Sequence, residues 1–95
     1  ISSKIFSISP HPISLESYLT IDMQNFNGST FYIEKLELEV YDIKGSKISQ
    51  TTYSLLPQIN NQINLSFLRK NAVGAYLLKI KIAGQEFVEK VIVAE

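Results

Sequence analysis

A reaction centre needs ionisable or nucleophilic side chains that converge, and this sequence offers few. His11 is the only histidine, and it stands between Pro10 and Pro12. No Gly-x-Ser-x-Gly elbow accompanies it, so a serine–histidine–acid arrangement lacks a placed nucleophile. We expect His11 in an exposed turn. Glu37 and Glu39 share one strand face, with α-carbons about 7 Å apart at this i, i+2 spacing. A glycosidase uses two carboxylates, but two on one strand ordinarily form a solvated face, and no cleft is legible around them. The absence of cysteine excludes a disulfide framework and a thiolate metal site. No His/Asp/Glu cluster has metal-ligand spacing. The residues therefore describe a non-enzyme with no metal and no cofactor.

Smaller signals have bland readings beside them. Asn27-Gly28-Ser29 and Asn64-Leu65-Ser66 match the glycosylation sequon, a short pattern that is frequent by chance. Phe31, Tyr32, Tyr41 and Tyr53 would stack sugars if they shared a surface, but they serve equally as cross-strand pairs. Tyr76 follows Leu68-Arg69-Lys70-Asn71-Ala72-Val73-Gly74-Ala75. In Greek-key sandwiches a tyrosine at this place bonds back to the preceding corner.

The positioning elements are strands. The chain has 95 residues, enough for one domain with its own core. Hydrophobic residues make up 45% and charged residues 19%, which suits a folded domain. Nine cations balance nine anions and are scattered, so phosphate neutralisation of a nucleic acid is not expected. No apolar run approaches the ~20 residues of a membrane helix, and membrane insertion is not expected. The first ten residues lack a signal-peptide core, and a start at Ile1 suggests a piece of a longer protein.

No sustained helical period occurs. Short alternating runs broken by Gly, Pro, Asn and Ser predict strands at Lys4 to Ser9, Ser17 to Met23, Phe31 to Ile43, Lys47 to Ser54 and Gln62 to Leu65. Two more form a hairpin over Gly74 to Glu95. Pro10-His11-Pro12 and Leu56-Pro57 interrupt, because proline cannot serve a central ladder. Asp42-Ile43-Lys44-Gly45 has the residues of a type I turn. Ser66 to Val73 is a connection with room for one helical turn. Together these predict an all-β fold, a seven-stranded immunoglobulin-like Greek-key β-sandwich.

In the last hairpin Tyr76, Leu78, Ile80 and Ile82 share a face, and Ala83-Gly84-Gln85 supplies the turn. An even loop places Phe87, Val91 and Val93 in that apolar row together with Glu89. An odd loop brings in Val88 and Ile92, with Lys90 as the misfit. The even loop is favoured because Lys81 then faces Glu86. Either way a charge interrupts the inner face, which suits an edge strand.

A set of motifs runs through the chain in order: Pro10-His11-Pro12, Leu19-Thr20-Ile21, Val40-Tyr41-Asp42-Ile43-Lys44-Gly45, Asn64-Leu65-Ser66-Phe67-Leu68, Gly74-Ala75-Tyr76, and Lys90-Val91-Ile92-Val93. In this the chain resembles the C-terminal sorting domain of proteins exported by the type IX secretion system of Bacteroidota. His11 stands where that family has Asn, and five residues separate Leu68 from Gly74. The resemblance covers residues 8–95 as the sorting domain, with 1–7 as linker and the start of the first strand. Its motif residues here are Pro10, Pro12, Asp42, Gly45, Leu65, Leu68, Gly74 and Tyr76.

The resemblance implies the tail of a larger secreted protein, covalently linked to an upstream cargo domain. The tail would be read in the periplasm and carried through the outer membrane by the secretion machinery. A surface sortase would then remove it near or upstream of Ile1 to Lys4, leaving cargo on the cell surface or outside. Lys90, Val91, Ile92 and Val93 are the candidate contacts for the machinery, since an edge strand offers free amides and carbonyls to an added strand. The other reading is an immunoglobulin-like or fibronectin-like accessory module that binds carbohydrate or protein, or acts as a spacer, in an extracellular enzyme or adhesin.

Overall fold

Alternation of apolar and polar side chains decides the local structure, and it is clearest where both neighbours of a strand are present. The computed structural model describes residues 6–22, 34–56 and 59–94. Among these are seven strands: β1 (Phe6–Ser9), β2 (Tyr18–Asp22), β3 (Glu34–Asp42), β4 (Lys47–Leu55), β5 (Asn60–Asn64), β6 (Gly74–Ile82) and β7 (Gln85–Val93). A 3-10 helix, Ser66–Lys70, lies between β5 and β6. No α-helix occurs among the described residues.

The strands form two antiparallel sheets, ordered β1-β2-β5 and β4-β3-β6-β7. The chain therefore crosses between sheets after β2, after β4 and after β5. One core lies between the sheets. Leu19, Ile21 and Ile63 come from the first; Leu36, Leu38, Val40, Leu78, Ile80, Ile82, Val91 and Val93 come from the second. Phe6 of β1 meets Phe87 of β7 edge to face, with ring centroids 5.1 Å apart, so the sheets also touch along the β1–β7 side.

The hairpin has the even loop. Its register pairs Ile82 with Gln85, Ile80 with Phe87, Leu78 with Glu89, Tyr76 with Val91 and Gly74 with Val93. Ala83 and Gly84 both have positive φ, 50° and 78°, as a two-residue primed turn requires. β7 lies at a sheet edge. One expected contact is redirected. Lys81 faces Glu86 in register, but its ammonium reaches Glu37 and Glu39 instead, 3.7 Å from each, and Glu86 takes Lys79 at 3.5 Å. Two carboxylates of β3 attract Lys81 more strongly than one on the exposed edge.

Strand limits shift where side chains compete with the ladder. β5 begins at Asn60, two residues before the expected Gln62, because Asn60 and Asn61 pair with Asp22 and Ile21. The Asn61 side chain accepts from the Leu56 amide and donates to the Leu56 carbonyl, at 2.9 and 3.0 Å. Leu65 leaves the ladder, donating its amide to the Ser17 carbonyl at 2.8 Å. The expected strand residues Lys4, Ile5, Met23 and Phe31 to Ile33, together with Tyr32 of the aromatic set, the sequon at Asn27 and Pro57, lie outside the described residues.

Candidate functional site

The proline turn and the far end of β7 form one assembly. Ser9-Pro10 and His11-Pro12 are cis peptide bonds. Beyond this turn Ile13 reaches β7, where it forms an isolated parallel bridge with Val93. The Ile13 amide donates to the Ile92 carbonyl at 2.8 Å. The Ile92 amide donates to Nε2 of His11 at 2.9 Å. His11 is exposed and in a turn, as its prolines predict, but its ring caps the last strand.

Ser17 holds this turn from beneath. It is fully buried. Its hydroxyl donates to the Pro10 carbonyl at 2.6 Å and accepts from the Ser14 amide at 2.8 Å. Its carbonyl receives Leu65. Ser17→Ala leaves two main-chain groups without that partner, and an unsatisfied buried group costs ~1–3 kcal/mol. We expect a urea midpoint lowered accordingly, with the far-UV spectrum unchanged.

The remaining motif residues gather at the same end. The Asp42 carboxylate accepts from the Lys44 and Ser46 amides at 2.9 Å each, while Gly45 donates to the Asp42 carbonyl at 3.0 Å. Gly45 has φ of 92°, a conformation that a β-carbon strains. Leu65 and Leu68 are fully buried. The Asn64 side chain accepts from the Ser66 amide at 2.8 Å and donates to the Leu15 carbonyl at 3.3 Å, so this sequon asparagine is engaged in the fold. The Tyr76 hydroxyl donates to the Ala72 carbonyl, closing the corner before β6. Asp42, Gly74 and Tyr76 line a shallow groove of about 350 Å³ with Ile43 and Val73. Pairing of Ser9 with Tyr18, Tyr18 with Asn64, Asp42 with Tyr76 and Gly74 with Val93 puts all of them at one end of the sandwich.

Along β7 the four candidate contacts divide by face. Val91 and Val93 point inward and are 1% and 3% exposed, so their side chains belong to the core. Lys90 and Ile92 lie on the outer face, Lys90 exposed and Ile92 half-buried. Antiparallel ladders alternate in hydrogen-bond direction. Since the Ile92 amide and carbonyl face away from β6, those of Lys90, Val88 and Glu86 do as well. His11 and Ile13 cover this edge at Ile92. Glu89 is half-buried in the inner row opposite Leu78 and, with Phe6, Ile8 and His11, lines a groove of about 280 Å³ between β1 and β7.

The outer face of β3 is not simply wet. Glu39 is only 4% exposed. Its carboxylate accepts from the Tyr41 hydroxyl at 2.8 Å, and Lys47 and Lys81 lie 3.6 and 3.7 Å away. Lys79 sits over the Tyr41 ring, 5.6 Å from its centroid. Glu37 pairs with Lys81 and accepts from the side-chain Nε2 of Gln50. Each carboxylate is thus matched by donors, which suits sheet cohesion rather than proton transfer. Tyr53 pairs with Leu36 on the inner face and packs against the core, opposite Tyr41, so these two build no common stacking surface. Among the described residues no metal-ligand cluster occurs.

This network sets a pH window. The Tyr41 hydrogen bond holds the Glu39 carboxyl below its usual value of 4.5, helped by Lys47, Lys81 and Lys79 against the effect of burial. The same bond raises Tyr41 above its usual 10.0. A depressed carboxyl stabilises the fold above about pH 4.5 and loses that effect as pH falls through its folded value. A raised phenol stabilises below about pH 10 and loses that effect as pH rises through its folded value. Denaturation midpoints should therefore fall at both extremes. Glu39→Gln should flatten both limbs, since it removes the charge that holds the Tyr41 proton. Unchanged limbs in that variant would count against this account.

The ordered motifs converge on one end of the fold. No curated protein and no solved structure matches the chain. The family model described as the secretion system C-terminal sorting domain matches residues 6–94, which takes in every described strand, the proline turn and the capped end of β7. The chain therefore belongs to the C-terminal sorting domains of type IX secretion.

Proposed function

We propose that this domain is the export tag of a larger protein, read in the periplasm by the outer-membrane machinery and presented largely through β7. Residues 8–95 form the tag and 1–7 lead into it. After passage a surface sortase cuts the tag away, leaving the cargo on the cell surface or in the medium. In this role the domain is a ligand and then a substrate, and it catalyses nothing. The strand order β1-β2-β5 over β4-β3-β6-β7 fits an immunoglobulin-like Greek key, a fold that keeps such a tag compact beside its cargo.

The observation that carries this reading is the family match over residues 6–94. We take recognition to act on the part of the β7 edge that the proline turn leaves open. Lys90 and the outward backbone of Glu86, Val88 and Lys90 are the accessible features of β7, while Val91 and Val93 act by keeping the strand in place. An added strand on this edge would take its main-chain bonds from that half.

The test is a reporter carrying a signal peptide and ending in residues 1–95, expressed in a member of the Bacteroidota with an intact type IX system. We expect the reporter outside the cell or on its surface. In a strain lacking the system it should accumulate in the periplasm. Equal export from both strains, or periplasmic retention in both, would refute the proposal.

A further inference from the structure

Ile92 is the point where the fold and an added strand compete. Its amide and carbonyl both face away from β6, and both are taken by the proline turn: the amide by Nε2 of His11 at 2.9 Å, the carbonyl by the Ile13 amide at 2.8 Å. An incoming strand that lengthened its ladder past Lys90 would need those same two groups. The turn is therefore a strap over the distal half of the β7 edge, and the proximal half at Val88 and Lys90 lies beyond it.

The two bonds of the strap differ in kind. The Ile13 bond joins two main-chain groups and does not respond to pH. The His11 bond requires an unprotonated Nε2, because only a lone pair accepts from an amide; the ring proton must then sit on Nδ1. Protonation makes both ring nitrogens donors, so the ring and the Ile92 amide would each present a proton to the other. Imidazole is the side chain that ordinarily changes charge between pH 5 and 8.

We propose that His11 is a proton-operated latch on the outer edge of β7: neutral, it holds the Ile92 amide; protonated, it releases that amide, while the Ile13 bond keeps the carbonyl. The use made of the released amide by a partner rests on the reading of β7 as the strand presented for export. The latch itself does not. The charged groups lining the groove beside His11 are Glu89 and Lys90 of β7. They carry opposite signs. On the other wall Phe6, Ser7 and Ile8 of β1 carry no ionisable side chain, and on its own turn Glu16 is exposed.

The latch is testable within a single substitution. A carboxamide oxygen accepts from an amide at any pH, and that of glutamine reaches about as far along the side chain as Nε2 does, so His11→Gln replaces a switchable cap with a fixed one. The experiment follows amide exchange and 1H–15N shifts of the 95-residue chain between pH 5 and 8, corrected for intrinsic exchange. In the wild type we expect Ile92 protection to drop about tenfold on acidification, the order of one lost hydrogen bond, in step with the His11 ring signals. Val91 and Val93, bonded to β6, should hold their protection and report that the fold is intact. His11→Gln should keep Ile92 protected throughout, and His11→Ala should leave it weakly protected throughout.

Ile92 protection that is the same at pH 5 and 8 in the wild type, or that varies equally in His11→Gln, overturns the latch. The export assay separates the two readings. Normal export of a reporter whose Ile92 ignores pH would remove the latch and leave the sorting function standing. A clear pH response in a tag that is never exported would do the reverse.

Discussion

Deletion of residues 85–95 should abolish the folded domain, whereas removal of Ala94 and Glu95 alone should leave it intact. The difference lies in what each cut takes from the core. β7 contributes Val91 and Val93, both buried, and Phe87, which packs on Phe6. Full burial of such side chains stabilises by ~1.5–3 kcal/mol each. The deletion also strips the register partners of Tyr76, Leu78 and Ile80 and opens the inner face of β6 to water. A domain of this size has ~5–15 kcal/mol in total. Ala94 is exposed and outside the ladder. Circular dichroism and urea titration check the folding half of the prediction.

The consequence for export is specific. Loss of export on deleting β7 says nothing about recognition, because an unfolded tag loses every surface at once. Lys90→Ala and the two-residue trim should keep the fold, since Lys90 and Ala94 are exposed, so they probe contact. If both are folded and both export normally, the Lys90 side chain and the chain end play no part in recognition, and the machinery must read backbone or another face.

Leu68→Ala is the second large effect. Leu68 is the buried residue of the 3-10 helix, and its amide and carbonyl tie that helix to Leu65 and Asn71, at 3.0 and 3.1 Å. Truncating a fully buried leucine costs ~2–5 kcal/mol, through lost transfer energy and the cavity left behind. That is a large fraction of the total stability. Thermal and urea unfolding measure it directly. Because the side chain has no exposed surface, export should fall only as far as the folded fraction falls. Export lost from a variant that remains folded would give this motif leucine a role in recognition beyond packing.

Much of the fold was legible in advance. Leu36, Leu38 and Val40 against Glu37, Glu39 and Tyr41 placed β3 with one face inward. Tyr76 to Ile82 did the same for β6. The even hairpin loop followed from where Lys81 and Glu86 had to stand, although their ammonium and carboxylate then chose other partners. Asp42 and Gly45 announced their turn, and Tyr76 its corner, because each of these depends on residues a few positions apart. The limits of β5 were misplaced since asparagines, poor strand formers on their own, are held there by β2.

The candidate site was legible only as a set of motifs. Nothing in Ser17 marks it as the buried support of a proline turn, and a serine before a strand is unremarkable by type and spacing. His11 looked like a turn residue and is one, yet its function in the fold is a bond to an amide 81 positions away. Glu39 looked solvated, and became buried when Tyr41, Lys47 and Lys81 closed over it from its own strand and from both neighbours.

The division has a physical cause. Side-chain alternation, turn chemistry and hairpin parity are short-range steric and hydrogen-bond effects, so the order of residues settles them before the chain collapses. Which motif meets which is settled by the stacking of two sheets and by three crossings between them. Those depend on the whole core packing at once. The strap of His11 and Ile13 over Ile92 exists because β1 and β7 end side by side, a proximity that no local period encodes.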